Sequence, residues 1–135
     1  MRHPRLVEWD RRLKAMFGSI DGWLEDKYGD EYSLHPNRAP RGSTANREMD
    51  GLFNVGADFT PGYGSSYGRG YIVRIRMVSL EHIPAKVKDR IERDVEVLVR
   101  QKLPLVFPNR NLSLKRDGPV LKIVGDFHLG NAGID

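Results

Sequence analysis

The residues best placed to do chemistry are arginines set among glycines and prolines. From His35 to Arg47 the chain reads HPNRAPRGSTANR, which holds Arg38, Arg41 and Arg47 and no acid. A planar guanidinium with five donors suits bidentate recognition of phosphate or carboxylate. The neighbouring Asp30, Glu31, Glu48 and Asp50 offer the same arginines a duller fate, pairing within the loop. A second stretch, GYGSSYGRG at 62–70, carries Arg69 and runs on to Arg74 and Arg76 with no acid between 60 and 79. Backbone N–H groups in such a glycine-rich loop can form an anion-binding nest. Tyr63 and Tyr67 have no core demanding them there and are able to stack on rings.

Patterns with stricter geometry are not met. Gly64-Ser65-Ser66-Tyr67-Gly68 has the spacing of a nucleophile elbow with Ser66 as nucleophile. That device needs a helix after the serine and a large α/β scaffold, whereas here a strand follows. The glycines at 62, 64, 68 and 70 miss the dinucleotide-binding spacing. His3, His35, His82 and His128 are scattered, and none has a partner at metal-ligand spacing. Asp126 and His128 would share a strand face, with Asp58 as a third member of an acid–base or metal cluster. Polar residues capping a strand end are the simpler reading. The absence of cysteine removes disulfides, thiolate metal sites and thiol nucleophiles together. No catalytic set can be assigned by spacing, and no cofactor is expected.

These side chains must be positioned by one domain spanning 1–135. The chain has 22 Lys+Arg against 18 Asp+Glu, a net charge of +4, with 39% hydrophobic and 30% charged residues. That is the balance of a folded domain rather than a disordered one. No apolar run reaches the length needed to cross a bilayer, and the first residues lack the apolar core of a secretory signal. A cytoplasmic protein with no membrane contact is expected.

Residues 5–28 carry Leu6, Trp9, Leu13, Met16, Phe17, Ile20, Leu24 and Tyr28 at helical spacing. Gly18 and Gly22 predict a kink or break near 19–22. Residues 30–50 and 60–70 read as long loops, the first with a short helical turn at 44–49. Strands are predicted at 52–59 and 71–80, the second helix from Pro84 to about 102–103, ending before Pro104. Pairs four apart on that helix, Lys88–Glu92, Asp89–Arg93 and Glu96–Arg100, are expected on its outer face. Strands at 111–116 and 119–127 flank an Asp117-Gly118 turn, and 130–135 is a tail.

The αββαββ order predicts an α+β two-layer sandwich: two helices on one face of a four-stranded, mostly antiparallel sheet. It is a circular permutation of the ferredoxin-like order, with strands 71–80 and 119–127 central. The alternation then leaves an open face bearing Arg74, Arg76 and Lys122 among Ile72, Val78, Val120 and Val124.

Three functions follow. The first is a binding domain for an anionic partner, nucleic acid foremost, through Arg38, Arg41, Arg47, Arg69, Arg74, Arg76 and Lys122. Against it, no nucleic-acid motif and no paired sheet aromatics are present. The second is a homodimer or larger assembly that buries the open face, with Arg74 or Arg76 meeting Asp58 or Asp126 across it. The third is a small enzyme or ligand binder whose pocket lies where the 30–50 and 60–70 loops meet over one end of the sheet.

Overall fold

The computed structural model describes residues 4–46, 49–62 and 67–125, with side chains from residue 7 onward. The elements are α1 (Pro4–Tyr28), β1 (Phe53–Thr60), β2 (Gly70–Met77), α2 (Ala85–Val106), β3 (Leu112–Asp117) and β4 (Val120–Gly125). The sheet order is β1-β2-β4-β3, and every pairing is antiparallel. β2 and β3 therefore run the same way with β4 between them, joined through α2. This is the α+β sandwich and the permuted order that the sequence predicts.

The two periodicities meet in one core. Trp9, Leu13, Met16, Phe17, Ile20, Leu24 and Tyr28 of α1 are buried, as are Ile91, Val95, Val99 and Leu103 of α2. They close on the alternate residues Phe53, Val55, Tyr71, Val73, Leu114, Leu121 and Ile123 of the sheet. Trp9 anchors one end, its ring centroid 4.3 Å from that of Phe107 and 6.2 Å from that of Tyr71, with the Arg110 guanidinium 5.5 Å away. At the other end of α1 the Tyr28 hydroxyl donates to Asp94 at 2.5 Å, tying α1 to α2. Burial, and then this bond, push the phenol above its ordinary value.

Three details differ from the sequence reading. α1 is one helix through Gly18 and Gly22. Burial of Phe17, Ile20 and Leu24, at about 1.5–3 kcal/mol each, outweighs roughly 1 kcal/mol per glycine. α2 does not stop before Pro104 but runs to Val106 with the proline inside. Leu103 and Phe107 are both buried, and the Phe107 N–H donates to the Leu103 carbonyl at 2.9 Å, so packing on Trp9 carries the helix past its breaker. The second hairpin turns on Gly118-Pro119 rather than Asp117-Gly118, because Asp117 pairs with Val120. Gly118 has φ +61°, and proline cannot follow it into that region. Positive φ at the first central position alone is the requirement of a type II′ turn.

Candidate functional site: an open strand edge beside a cationic notch

The hydrogen-bonding phase of the sheet determines which backbone groups are left over. The Val78 N–H donates to the Leu52 carbonyl at 2.7 Å, in register with the β1–β2 ladder. Even-numbered residues of β2 thus point their N–H and C=O at β1. Odd-numbered residues of both strands point away from the pair.

On β1 the outward groups of its first residues are capped. The Phe53 N–H donates to Glu25 Oε2 at 2.9 Å and the Val55 N–H to Asp21 Oδ2 at 3.3 Å. Both carboxylates are buried on α1, Asp21 2% and Glu25 7% exposed. The match is geometric: four residues of helix rise about 6 Å, and two residues of strand advance about 6.8 Å. Arg38 completes the cap by donating to the carbonyls of Phe53 (3.0 Å), Gly51 (3.0 Å) and Asp50 (3.1 Å). Gly51, at φ +74°, has no room for a Cβ against the Glu25 carboxylate. The sequence held a signal for these acids: Asp21 and Glu25 continue the four-residue step from Phe17 on the apolar side of α1.

On β2 the outward groups are not capped. Pairing with β4 covers Tyr71 and Ile72 only. Among the described residues, the N–H and C=O of Ile75 and Met77 face no strand and no capping side chain. Between this edge, the 79–83 segment and the first turns of α2 lies a cavity of ≈ 570 Å³. Its floor is Ile75, Met77, Ile83 and Ile91, and its rim holds Arg76, His82 and Lys88. The volume is that of a small-ligand site. The acids at the cavity are already engaged. Glu92 accepts from Arg116 at 2.5 Å, and Glu81 accepts from the Ser33 N–H. The exposed side chains of Arg76, His82 and Lys88 have no hydrogen-bonding or charge partner among the described residues. The cavity thus sets two cations and an imidazole over an apolar floor, with its two carboxylates turned to other partners.

The predicted site residues separate. Arg38 is spent on the carbonyls above. Arg41 pairs with Asp26 at 2.8 Å and reaches the Gly22 carbonyl at 3.4 Å, and the Asp26 bond raises its pKa. Arg74 lies across Gly56, its register partner, chelating Asp58 at 2.6 Å to each oxygen and donating to Asn54 at 3.1 Å. Lys122 is 2% exposed. Its chain passes over Gly70, and its ammonium donates to the Gly68 carbonyl and to Asp117 at 3.3 Å. This also turns it from Lys115, its like-charged cross-strand partner. Lys122 is therefore a clamp on the 62–70 loop and not an exposed ligand. Arg69 is exposed on that loop, Arg76 joins the notch, and Arg47 lies outside the described residues.

Two site geometries expected from sequence look different among the described residues. The 30–50 loop enters at Phe53, opposite Met77, and the 60–70 loop leaves from Thr60, opposite Gly70. The feet and the tip of a hairpin with eight-residue strands are about 25 Å apart. Arg38 and Arg69 therefore do not converge, and among the described residues the two loops do not meet over one end of the sheet. On the open face Val124 is buried, Ile72, Val78 and Val120 are half-buried, and Arg74 takes Asp58 from its own chain. Asp126, His128, Tyr63 and Ser66 lie outside the described residues. Among the described residues no group of three or more acids or histidines is placed to hold a metal ion, and no helix is long and apolar enough to cross a membrane.

A protein-family model described as "Uncharacterised protein" matches residues 4–125, from the first residue of α1 to the last of β4. The chain belongs to that family. An "Uncharacterized protein" of Borreliella burgdorferi is 42% identical over 127 residues, which cover 94% of this chain and 99% of the relative. No solved structure matches the chain. The family match spans every element that forms the notch: β2, the 79–83 segment and α2.

Proposed function

We propose that this family member is a binding module for an anionic ligand with an apolar body, held in the notch between β2 and α2. The observation that carries the reading is the division of charge at the cavity. Glu92 and Glu81 are bonded elsewhere, while Arg76, Lys88 and His82 have no partner among the described residues and stand above Ile75, Ile83 and Ile91. An apolar body would gain by burial, at about 25 cal/mol per Å². Its anionic group would gain charge-assisted hydrogen bonds at the rim. A broad phosphate-tracking surface has less support, because Arg38, Arg41, Arg74 and Lys122 already hold partners within the chain.

The aromatic sulfonate 1-anilinonaphthalene-8-sulfonate is a direct probe, since it combines both features. One saturable site is expected, weakened as salt rises and weakened about tenfold in Arg76→Glu/Lys88→Glu, at roughly 0.5–1 kcal/mol per rim charge. Absence of binding, or binding indifferent to the charge reversal, would defeat the proposal. Short single-stranded RNA that bound at 50 mM salt with affinity unaffected by the same reversal would move the function away from the notch.

A further inference from the structure

We infer that the natural occupant of the notch is an extended acidic segment of another protein, which adds as a strand to the open edge of β2. The inference rests on the notch being the binding site and deepens that reading by naming the partner.

The two sides of the β1–β2 pair are treated differently. At the Phe53–Val55 end, which is level with Ile75 and Met77, the outer side of β1 is capped by Asp21, Glu25 and Arg38, each bonded to a backbone group of the 50–55 stretch. An exposed strand edge is a template for another chain, and proteins ordinarily cover it. The far side of β2 is covered only as far as Ile72. Beyond it, Ile75 and Met77 present two donors and two acceptors in strand geometry, at the mouth of the cavity. Strand addition uses such a row for affinity and pockets at alternate side chains for specificity.

The arrangement also selects the side chains. Residues on one face of an added strand would meet the floor of Ile75, Ile83 and Ile91. Those on the other face would meet Arg76, whose side chain stands on the opposite face of β2 from Ile75. Lys88 lies beside the same opening, and Glu92, four residues on, is held by Arg116. An alternation of aliphatic and acidic residues fits both faces. A basic segment would meet like charges at the rim, and a globular surface could not insert its backbone at Ile75 and Met77.

The test uses the full chain and the capped peptide Glu-Val-Glu-Val-Glu, with Lys-Val-Lys-Val-Lys and an N-methylated copy of the acidic peptide as comparators. Binding is followed by amide spectra and hydrogen exchange. The acidic peptide is expected to bind and to slow exchange at Ile75 and Met77 by about fivefold or more, the equivalent of roughly 1 kcal/mol for one hydrogen bond. The N-methylated and basic peptides are expected to bind at least about tenfold more weakly. If the sulfonate dye binds the notch but the acidic peptide does not, strand addition is overturned while the pocket stands. Peptide binding that leaves Ile75 and Met77 exchange unchanged, or that survives N-methylation, overturns it equally. If neither dye nor peptide binds, both readings fall. Pairing of Ile75 and Met77 with a second copy of this chain, seen as concentration-dependent protection and dimer sedimentation without peptide, overturns the acidic partner.

Discussion

Glu92 is bonded to Arg116 across the α2–β3 gap, Oε1 to Nη2 at 2.5 Å, and so does not serve Lys88 on its own helix. Helical spacing alone makes Lys88 and Glu92 partners, and the tertiary contact overrides it. The consequence is functional, because the cation is left at the cavity rim. In Arg116→Ala, Glu92 is free to turn back to Lys88. Both ends of the ion pair are well exposed, so global stability should change by less than about 1 kcal/mol. Dye affinity should fall several-fold. Thermal melting and fluorescence titration of the same sample separate the two effects.

The cap on β1 predicts an ordering of Glu25 variants. Glu25→Gln keeps an oxygen for the Phe53 N–H, whereas Glu25→Ala leaves that buried donor without a partner. The alanine variant should lose about 1–3 kcal/mol more than the glutamine variant, the cost of an unsatisfied buried group. Urea denaturation measures the difference. Equal losses would mean that the carboxylate does not cap the strand.

Asp50 sets an acid limit on the 30–50 loop. It is 3% exposed and accepts from the Thr44 N–H at 3.1 Å and the Thr44 hydroxyl at 2.9 Å. Burial acts to raise its pKa, but these bonds, with the Gly42 N–H and nearby Arg38, outweigh it and hold the carboxyl below its ordinary value. A depressed folded pKa gives stability that is complete above the ordinary aspartate value and is lost as pH falls through the folded one. Wild type should therefore lose stability relative to Asp50→Asn as the pH is taken below about 4. Their stability difference should be flat from pH 5 to 7. Acid-dependent urea midpoints for the two proteins report both regions.

Lys122 is the residue that changed most between sequence and structure. Alternation correctly places it on the open face, and its charge suggests an exposed ligand. Its length instead carries the ammonium over Gly70 to Gly68 and Asp117. Lys122→Met should cost about 1 kcal/mol by leaving a half-buried carbonyl and a carboxylate short of a donor. Dye binding at the distant notch should be unaffected. Equilibrium unfolding and the dye titration check the two halves.

The sequence made the fold legible because the informative patterns are local. The α1 stripe, the Phe53–Val55 alternation, the Tyr71–Met77 alternation and the strand order all follow from periodicity and short connections. The type of each site residue was legible too, but its partners were not. Arg38 finds carbonyls 12 to 15 residues away, Arg41 finds Asp26, and Arg74 finds Asp58 across a glycine. Such pairings are set by register and by which small residue lies opposite, which charge counting does not see. The notch was invisible for a related reason. It exists because β4 leaves β2 after Ile72, and no residue pattern marks where two strands part.

The most direct measurement is hydrogen exchange of the free protein along β2. Alternation is expected: amides of Arg74 and Arg76, bonded to β1, protected, and those of Ile75 and Met77 exchanging about a hundredfold faster or more, as open-edge groups do. Uniform protection from Arg74 to Met77 in a monomer would contradict it, because the edge proposed to receive a partner strand would already be closed.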